Sequence, residues 1–282
     1  MVFTPPNELR RSPRCSTRTS PRKAPPLLVA YEDAPKWARY PFVRAGYRRR
    51  LTLRDAFISA FYIHNETFNI WTHAVGCAYI LWRLAALYLH GLGSCGPSAT
   101  GAVLTYYVAA LFCLTSSTTY HLFGGVSSKR THDILLRIDM LGIGALIAGS
   151  YVPGLLFTFR DRPLAGVGYF ALMASFALAA AACPSRRQRL LSMATAIGVV
   201  PAGDWTIHAT SAERAVHLAP FIGMFACYGI GLAIFFFRVP ERLNPGAFDR
   251  TPLLSHSCWH VCVLAAILSW DEFCTRFAAT CE

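Results

Sequence analysis

Charge is scarce in this chain: only 15% of its 282 residues are Asp, Glu, Lys or Arg, against 54% hydrophobic. Soluble domains carry roughly a quarter charged residues, so an ordinary water-soluble globule is excluded as the simplest reading. Acidic side chains are the scarcest, 15 against 27 basic, which leaves a net charge of +12. A basic surplus spread over one face would suit nucleic acid, but here 13 of the 27 basic residues precede His64. Charge gathered in one tail and one membrane flank reads as an orientation signal with an anionic-lipid contact, and no nucleic-acid partner is expected. No Cys-x-x-Cys pair occurs among the ten cysteines, which removes a zinc ribbon and a redox dithiol. Cys258 and Cys262 share a helix face and read as packing residues; Cys95 and Cys281 fall on one expected side of a membrane, where a pairing is open to them. The first thirty residues lack an apolar stretch long enough for a signal-peptide core and are rich in Pro, Arg and Ser. Residues 1–45 are therefore expected to form a disordered, basic, proline-rich cytosolic tail ahead of a membrane domain over 46–282.

What the chain has in abundance is long apolar runs. Seven of them, near 68–90, 101–122, 134–157, 164–183, 190–208, 217–238 and 256–276, have the length of a bilayer-crossing helix. The expected fold class is an all-α membrane protein, a seven-transmembrane helix bundle. The fifth and seventh runs are the weaker ones, since they contain Asp204 and the pair Asp271 and Glu272. Basic residues alternate between connections. The tail, Lys129 and Arg130, Arg186 with Arg187 and Arg189, and Arg238 with Arg242 and Arg250 lie on one side; the other holds only Arg160, Arg162 and Arg214. This asymmetry places the N-terminus in the cytosol and the C-terminus outside. Ahead of the first run, Tyr47 to Tyr62 is expected to be an interfacial helix, with Leu51, Leu53, Phe57, Ile58 and Phe61 opposite Arg48, Arg49, Arg50, Arg54 and Asp55.

Ionisable groups within such runs cost several kcal/mol in hydrocarbon, so each one marks a functional hypothesis. His121 ends the second run on the cytosolic side, Asp139 follows two turns into the third, and His256 and His260 open the seventh. Topology thus brings all four to one depth in the cytosolic leaflet, although they are far apart in sequence. Residues four apart share a helix face, so His256 and His260 can address one ion, and Ser117 stands on the face of His121. Three neutral imidazoles suit Zn2+ and leave one tetrahedral position for water. Asp139 would hold and deprotonate that water, with Ser117 orienting it; the two are the candidate catalytic residues. His64, Asn65, Glu66, Asn69 and His73 cluster where the first run begins and read as groups that satisfy helix ends and interhelical hydrogen bonds. Asp204 and His208 are expected to be solvated at the outer end of the fifth run.

The residues also carry a resemblance. Gly46-Tyr-Arg48, His64-Asn-Glu-Thr-Phe-Asn-Ile-Trp-Thr-His73, the Ser117-to-His121 spacing, Asp139, Gly149-Ser-Tyr-Val-Pro153, Val239-Pro-Glu-Arg242 and Pro245-Gly-Ala-Phe-Asp249 before His256-x-x-x-His260 follow one another in a familiar order. On these motifs the chain resembles the progestin and adipoQ receptor family, most of all its adiponectin-receptor branch, within a haemolysin III-related superfamily. The resemblance implies seven helices with a cytosolic N-terminus, and Zn2+ held by His121, His256 and His260 with Asp139 and Ser117 beside it. It further implies hydrolysis of a ceramide-like lipid amide, signalling as a receptor for an extracellular ligand, or both. The rival expectation is a non-catalytic receptor for a protein or steroid, with structural zinc; a haemolysin-like pore is third, for want of a polar stripe along any run. Either leading reading is an integral, multi-pass protein of the plasma membrane or an endomembrane, and either is compatible with a homo-oligomer.

Overall fold

The computed structural model describes residues 28–91 and 96–279. A short antiparallel pair, β1 (Leu28–Val29) and β2 (Tyr47–Arg48), precedes a small helix, α1 (Leu53–Ser59). The long helices follow: α2 (Thr67–His90), α3 (Pro97–Phe123), α4 (Lys129–Thr158) and α5 (Pro163–Ala182). The fifth apolar run is two helices, α6 (Arg187–Ile197) and α7 (Val199–His208), which meet at Gly198; α8 (Ser211–Phe237) and α9 (Ser255–Ala279) complete the bundle. Every expected span has its helix, with ends displaced by a few residues. Cys95 and Cys281 lie outside the described residues.

Local signals explain where the helices begin. Ser128 and Thr210 accept backbone N–H groups at the starts of α4 and α8, and Glu213 returns a bond to the Thr210 N–H to complete a capping box. Pro97 and Pro163 open α3 and α5, where a missing N–H costs nothing. Among the described residues, six segments are long and apolar enough to cross a membrane, with α6 and α7 counted as one; α9 is the exception. Its acidic residue Asp271 is buried and takes hydrogen bonds from Tyr79, Tyr107 and Arg83, which spares a carboxylate from facing lipid alone. Trp82, Val108, Leu178, Ile222 and Phe236 point outward and exposed, as lipid-facing residues should.

Neighbouring helices pack in chain order from α2 to α6, and α9 touches α2, α3, α4 and α8, so it stands against the bundle interior. Helices α3 and α4 approach closely. Gly149 lies so near α3 that a Cβ there would overlap Ala109, and one at Gly142 would overlap Ser116. Small residues are how membrane helices come into contact without an aqueous hydrophobic drive. This contact sets Asp139 of α4 opposite the last turns of α3.

Three expectations need revision. The helix foreseen over Tyr47–Tyr62 is confined to Leu53–Ser59, because Thr52 caps it and Tyr47–Arg48 pairs as strand with Leu28–Val29. The stretch 28–45, expected as part of the tail, is built into the fold. The Asp249 carboxylate accepts the N–H groups of Arg44 and Ala45 at 3.1 and 2.7 Å, and Val43, Tyr47 and Leu254 form a small second core. Asp204 is only half exposed and accepts from Arg162 and Tyr169 at 2.9 and 3.0 Å, whereas His208 is exposed.

Replacing Gly149 with Val should drive α3 and α4 apart and cost about 1–3 kcal/mol through overpacking. Gly168, where an added Cβ meets nothing within 4 Å, should tolerate Ala with unchanged or raised stability. Thermal melting of both variants in detergent checks the pair, and equal melting temperatures would contradict this packing.

Candidate metal centre

The end of α3, the start of α9 and the turn before α2 converge on one point. His121, His256 and His260 offer ring nitrogens that all lie within 4.8 Å of one another. His121 and His260 are buried, His256 is partly so. The Nε2 atoms of His121 and His256 are 3.4 Å apart. Two nitrogens bound at about 2.0–2.1 Å to one tetrahedral ion would stand about 3.3 Å apart, so the spacing fits zinc.

The protonation pattern fits as well. Glu66 accepts from His121 Nδ1 at 2.7 Å, which fixes the proton on that nitrogen and turns a lone pair on Nε2 toward His256. A carboxylate behind an imidazole is the usual second partner of a metal-bound histidine. Asn69 donates to the same Glu66 oxygen at 2.7 Å and accepts from Ser257 Oγ at 2.8 Å, which ties α2 to α9 between His256 and His260. Burial alone would raise the Glu66 pKa, but His121 and the bonds from His121 and Asn69 hold it below the carboxylate range.

Each ligand is positioned by its own anchor. Arg48 is buried and donates to the His121 and Leu122 carbonyls at 2.6 and 2.9 Å and to Ser59 Oγ at 2.9 Å, so it closes the C-terminus of α3 at the ligand itself. Glu241 receives the N–H and the hydroxyl of Ser255 and fixes the first turn of α9, one residue before His256. Tyr40 lies against the His256 ring, with centroids 5.6 Å apart, and the His73 ring sits 4.0 Å from that of His260.

Asp139 is buried beside Ser117 and faces His121, yet it is not among the groups that converge within ligand distance. It lines instead, with Ser117, Asn69, His256 and His260, a cavity of about 530 Å³. The cavity runs from Tyr40 and Val43 at the N-terminal segment toward Ile147, Phe225 and Tyr228, and its walls are mostly apolar. Three converging nitrogen donors could hold a metal ion, with one carboxylate to the side and a largely apolar chamber next to them.

The sequence brought out the three histidines, Asp139 and Ser117; the histidines converge, while Asp139 and Ser117 stand on the wall of the adjoining cavity. It also read Glu66, Asn69 and His73 as partners for helix ends and neighbouring helices, which describes Asn69 well but understates Glu66. Arg48 was placed on the polar side of an interfacial helix and is in fact buried. Nothing in the run Arg48-Arg49-Arg50 marks which arginine is buried.

His64 is held as a neutral ring: its Nε2 lies 3.1 Å from the Ser59 carbonyl, and its Nδ1 accepts the Glu66 N–H at 3.0 Å. Burial first, and Arg48 second, lower its pKa from 6.5 to about 3. The unfolded chain therefore binds this proton first, and stability should fall as pH drops from about 6.5 toward 3. In pH-dependent melting, a His64→Asn variant should show a shallower slope over that window; an unchanged slope would assign the loss to other groups. If the histidines hold a metal ion, Glu66→Gln should weaken its binding about 10–100-fold in a chelator competition titration.

Comparison with known proteins agrees with this architecture. The family model described as Haemolysin-III related matches residues 61–270. Heptahelical transmembrane protein 1 of Arabidopsis thaliana is 33% identical over 262 residues, covering 86% of this chain and 78% of that protein. The adiponectin receptor protein of Drosophila melanogaster is 30% identical over 84% of this chain, which spans 56% of the receptor's length. Progestin and adipoQ receptor family member 3 of Homo sapiens is 28% identical, with 87% of this chain and 84% of that protein covered. The chain is thus a multi-pass, heptahelical membrane protein and belongs to the haemolysin-III-related family, among relatives named as progestin and adipoQ receptors and adiponectin receptors.

Proposed function

We propose that the chain is a zinc-dependent amide hydrolase of the membrane, acting on a ceramide-like lipid, with His121, His256 and His260 as the metal ligands. The observation that carries this reading is the three-histidine cluster, two of whose members, His256 and His260, line a largely apolar cavity in a membrane bundle. A bound Zn2+ supplies Lewis-acid polarisation of a carbonyl and makes water a better nucleophile near neutral pH. The chain's own groups do the rest. Asp139, buried at the cavity wall and beside Ser117, takes the proton from the attacking water and delivers it to the leaving amine. Ser117 orients that water, and the apolar wall between Ile147 and Tyr228 holds the acyl chain so that its amide carbonyl reaches the histidines. A free fatty acid and a sphingoid base are the products. An extracellular ligand would act by changing how the helices around this cavity pack, in keeping with relatives named as receptors.

The rival reading, a receptor whose zinc only fastens α3 and α9, would favour a fourth protein ligand that closes the site. Asp139 stands outside the converging group, which favours the open site. The discriminating experiment is turnover of a fluorescent short-chain ceramide by protein reconstituted in nanodiscs. Asp139→Asn should retain zinc and lose about 10²–10⁴-fold in rate. A wild-type protein that binds zinc and releases no fatty acid would sink the catalytic reading and leave the structural one.

A further inference from the structure

The face of α1 that points away from the bundle has no occupant among the described residues. Inward, Ala56, Ser59 and Ala60 are buried against α3. Outward, Leu53 is 70% exposed, Phe57 59% and Phe61 68%, and Ile58 joins them. Trp71 continues this surface onto α2: its ring packs edge-on against Phe61 at 5.6 Å, and its indole N–H donates to the Ala60 carbonyl at 2.7 Å. So large an apolar surface needs a partner, and what rims it identifies one.

Arg50 and Arg54 are exposed, Arg49 is half-buried, and none of the three forms an ion pair among the described residues. Arg49 Nε is buried without a hydrogen-bond partner, and Arg50 lies over the Trp37 ring at 5.5 Å. The Leu51 N–H donates to the Val126 carbonyl, which brings this stretch beside the α3–α4 turn and its exposed Lys129 and Arg130. The nearby acids are outnumbered: Asp55, which caps α1 with Thr52, and Asp133, paired with Lys129 at 2.6 Å, stand against Arg49, Arg50, Arg54, Lys129 and Arg130. The rim is therefore positive, while the face is apolar and aromatic.

We propose that α1 and its arginine rim form a docking surface for anionic phospholipid of the cytosolic leaflet. The apolar face enters the acyl boundary, and Arg49, Arg50 and Arg54 take the headgroup phosphates and carboxylates. Arg48 links this surface to the metal centre, because its guanidinium joins Ser59 of α1 to the carbonyl of His121. A lipid that seats α1 thereby braces a metal ligand. The inference needs the membrane topology alone and holds whether or not the chain hydrolyses lipid.

The test is hydrogen–deuterium exchange of the full chain in nanodiscs of phosphatidylcholine, with and without phosphatidylserine. Amides 53–60 should exchange at least about tenfold more slowly with the anionic lipid, and amides 120–126 should slow with them. The Arg49→Gln/Arg50→Gln/Arg54→Gln variant should lose the difference, whereas Arg186→Gln/Arg187→Gln/Arg189→Gln should keep it. High salt should erase it in the wild-type chain, so the readout does not depend on the variant folding. Identical exchange in the two lipids would overturn the proposal. So would protection that follows the number of chains per disc rather than lipid charge, which would assign the face to a second copy. A response of 53–60 without one at 120–126 would overturn the bracing through Arg48.

Discussion

The bond between Glu66 and His121 is the contact on which the site depends. A carboxylate and an imidazole buried at the edge of hydrocarbon each need a partner, and here they supply it to one another. Once paired, they fix the ring of His121, direct its free nitrogen toward α9, and leave Asn69 to fasten Ser257 on the other side. Around this pair lie an arginine that closes α3 and a glutamate that opens α9, each placing a charge where helix ends leave backbone groups unmatched. The ligands are thus held by the terminal chemistry of three helices rather than by a dedicated loop.

The same economy explains the opposite end of the bundle. Asp271 would exclude α9 from a membrane if it faced lipid, yet Tyr79, Tyr107 and Arg83 surround it. Two polar clusters, one near each end, therefore clamp α2, α3 and α9 together, with Ile80, Leu114 and Ile267 buried between them. The cavity opens beside this clamped trio, toward α4, α6 and α8.

Much of this was legible in the residues, for reasons that differ from one group to another. The seven helices follow from run length, and the alternation of basic loops sets the histidines and Asp139 at one depth. His256 and His260 announce themselves through helical spacing. Arg48 did not, because a basic residue in an arginine run has no periodicity to separate a buried member from its exposed neighbours. Nor did the break at Gly198, since glycine in an apolar run is equally at home in a continuous helix. The role of Glu66 needed the third dimension: its partner is 55 positions away, and only the packing of α2 on α3 brings them together.

The three histidines are proposed to hold one metal ion and leave a position open. X-ray absorption at the zinc edge of the detergent-purified chain tests it most directly. The predicted spectrum shows one zinc per chain with three nitrogens at about 2.0–2.1 Å and one light oxygen neighbour. A spectrum with a sulfur shell, a second carboxylate in place of a histidine, or no bound zinc in well-folded protein would contradict it.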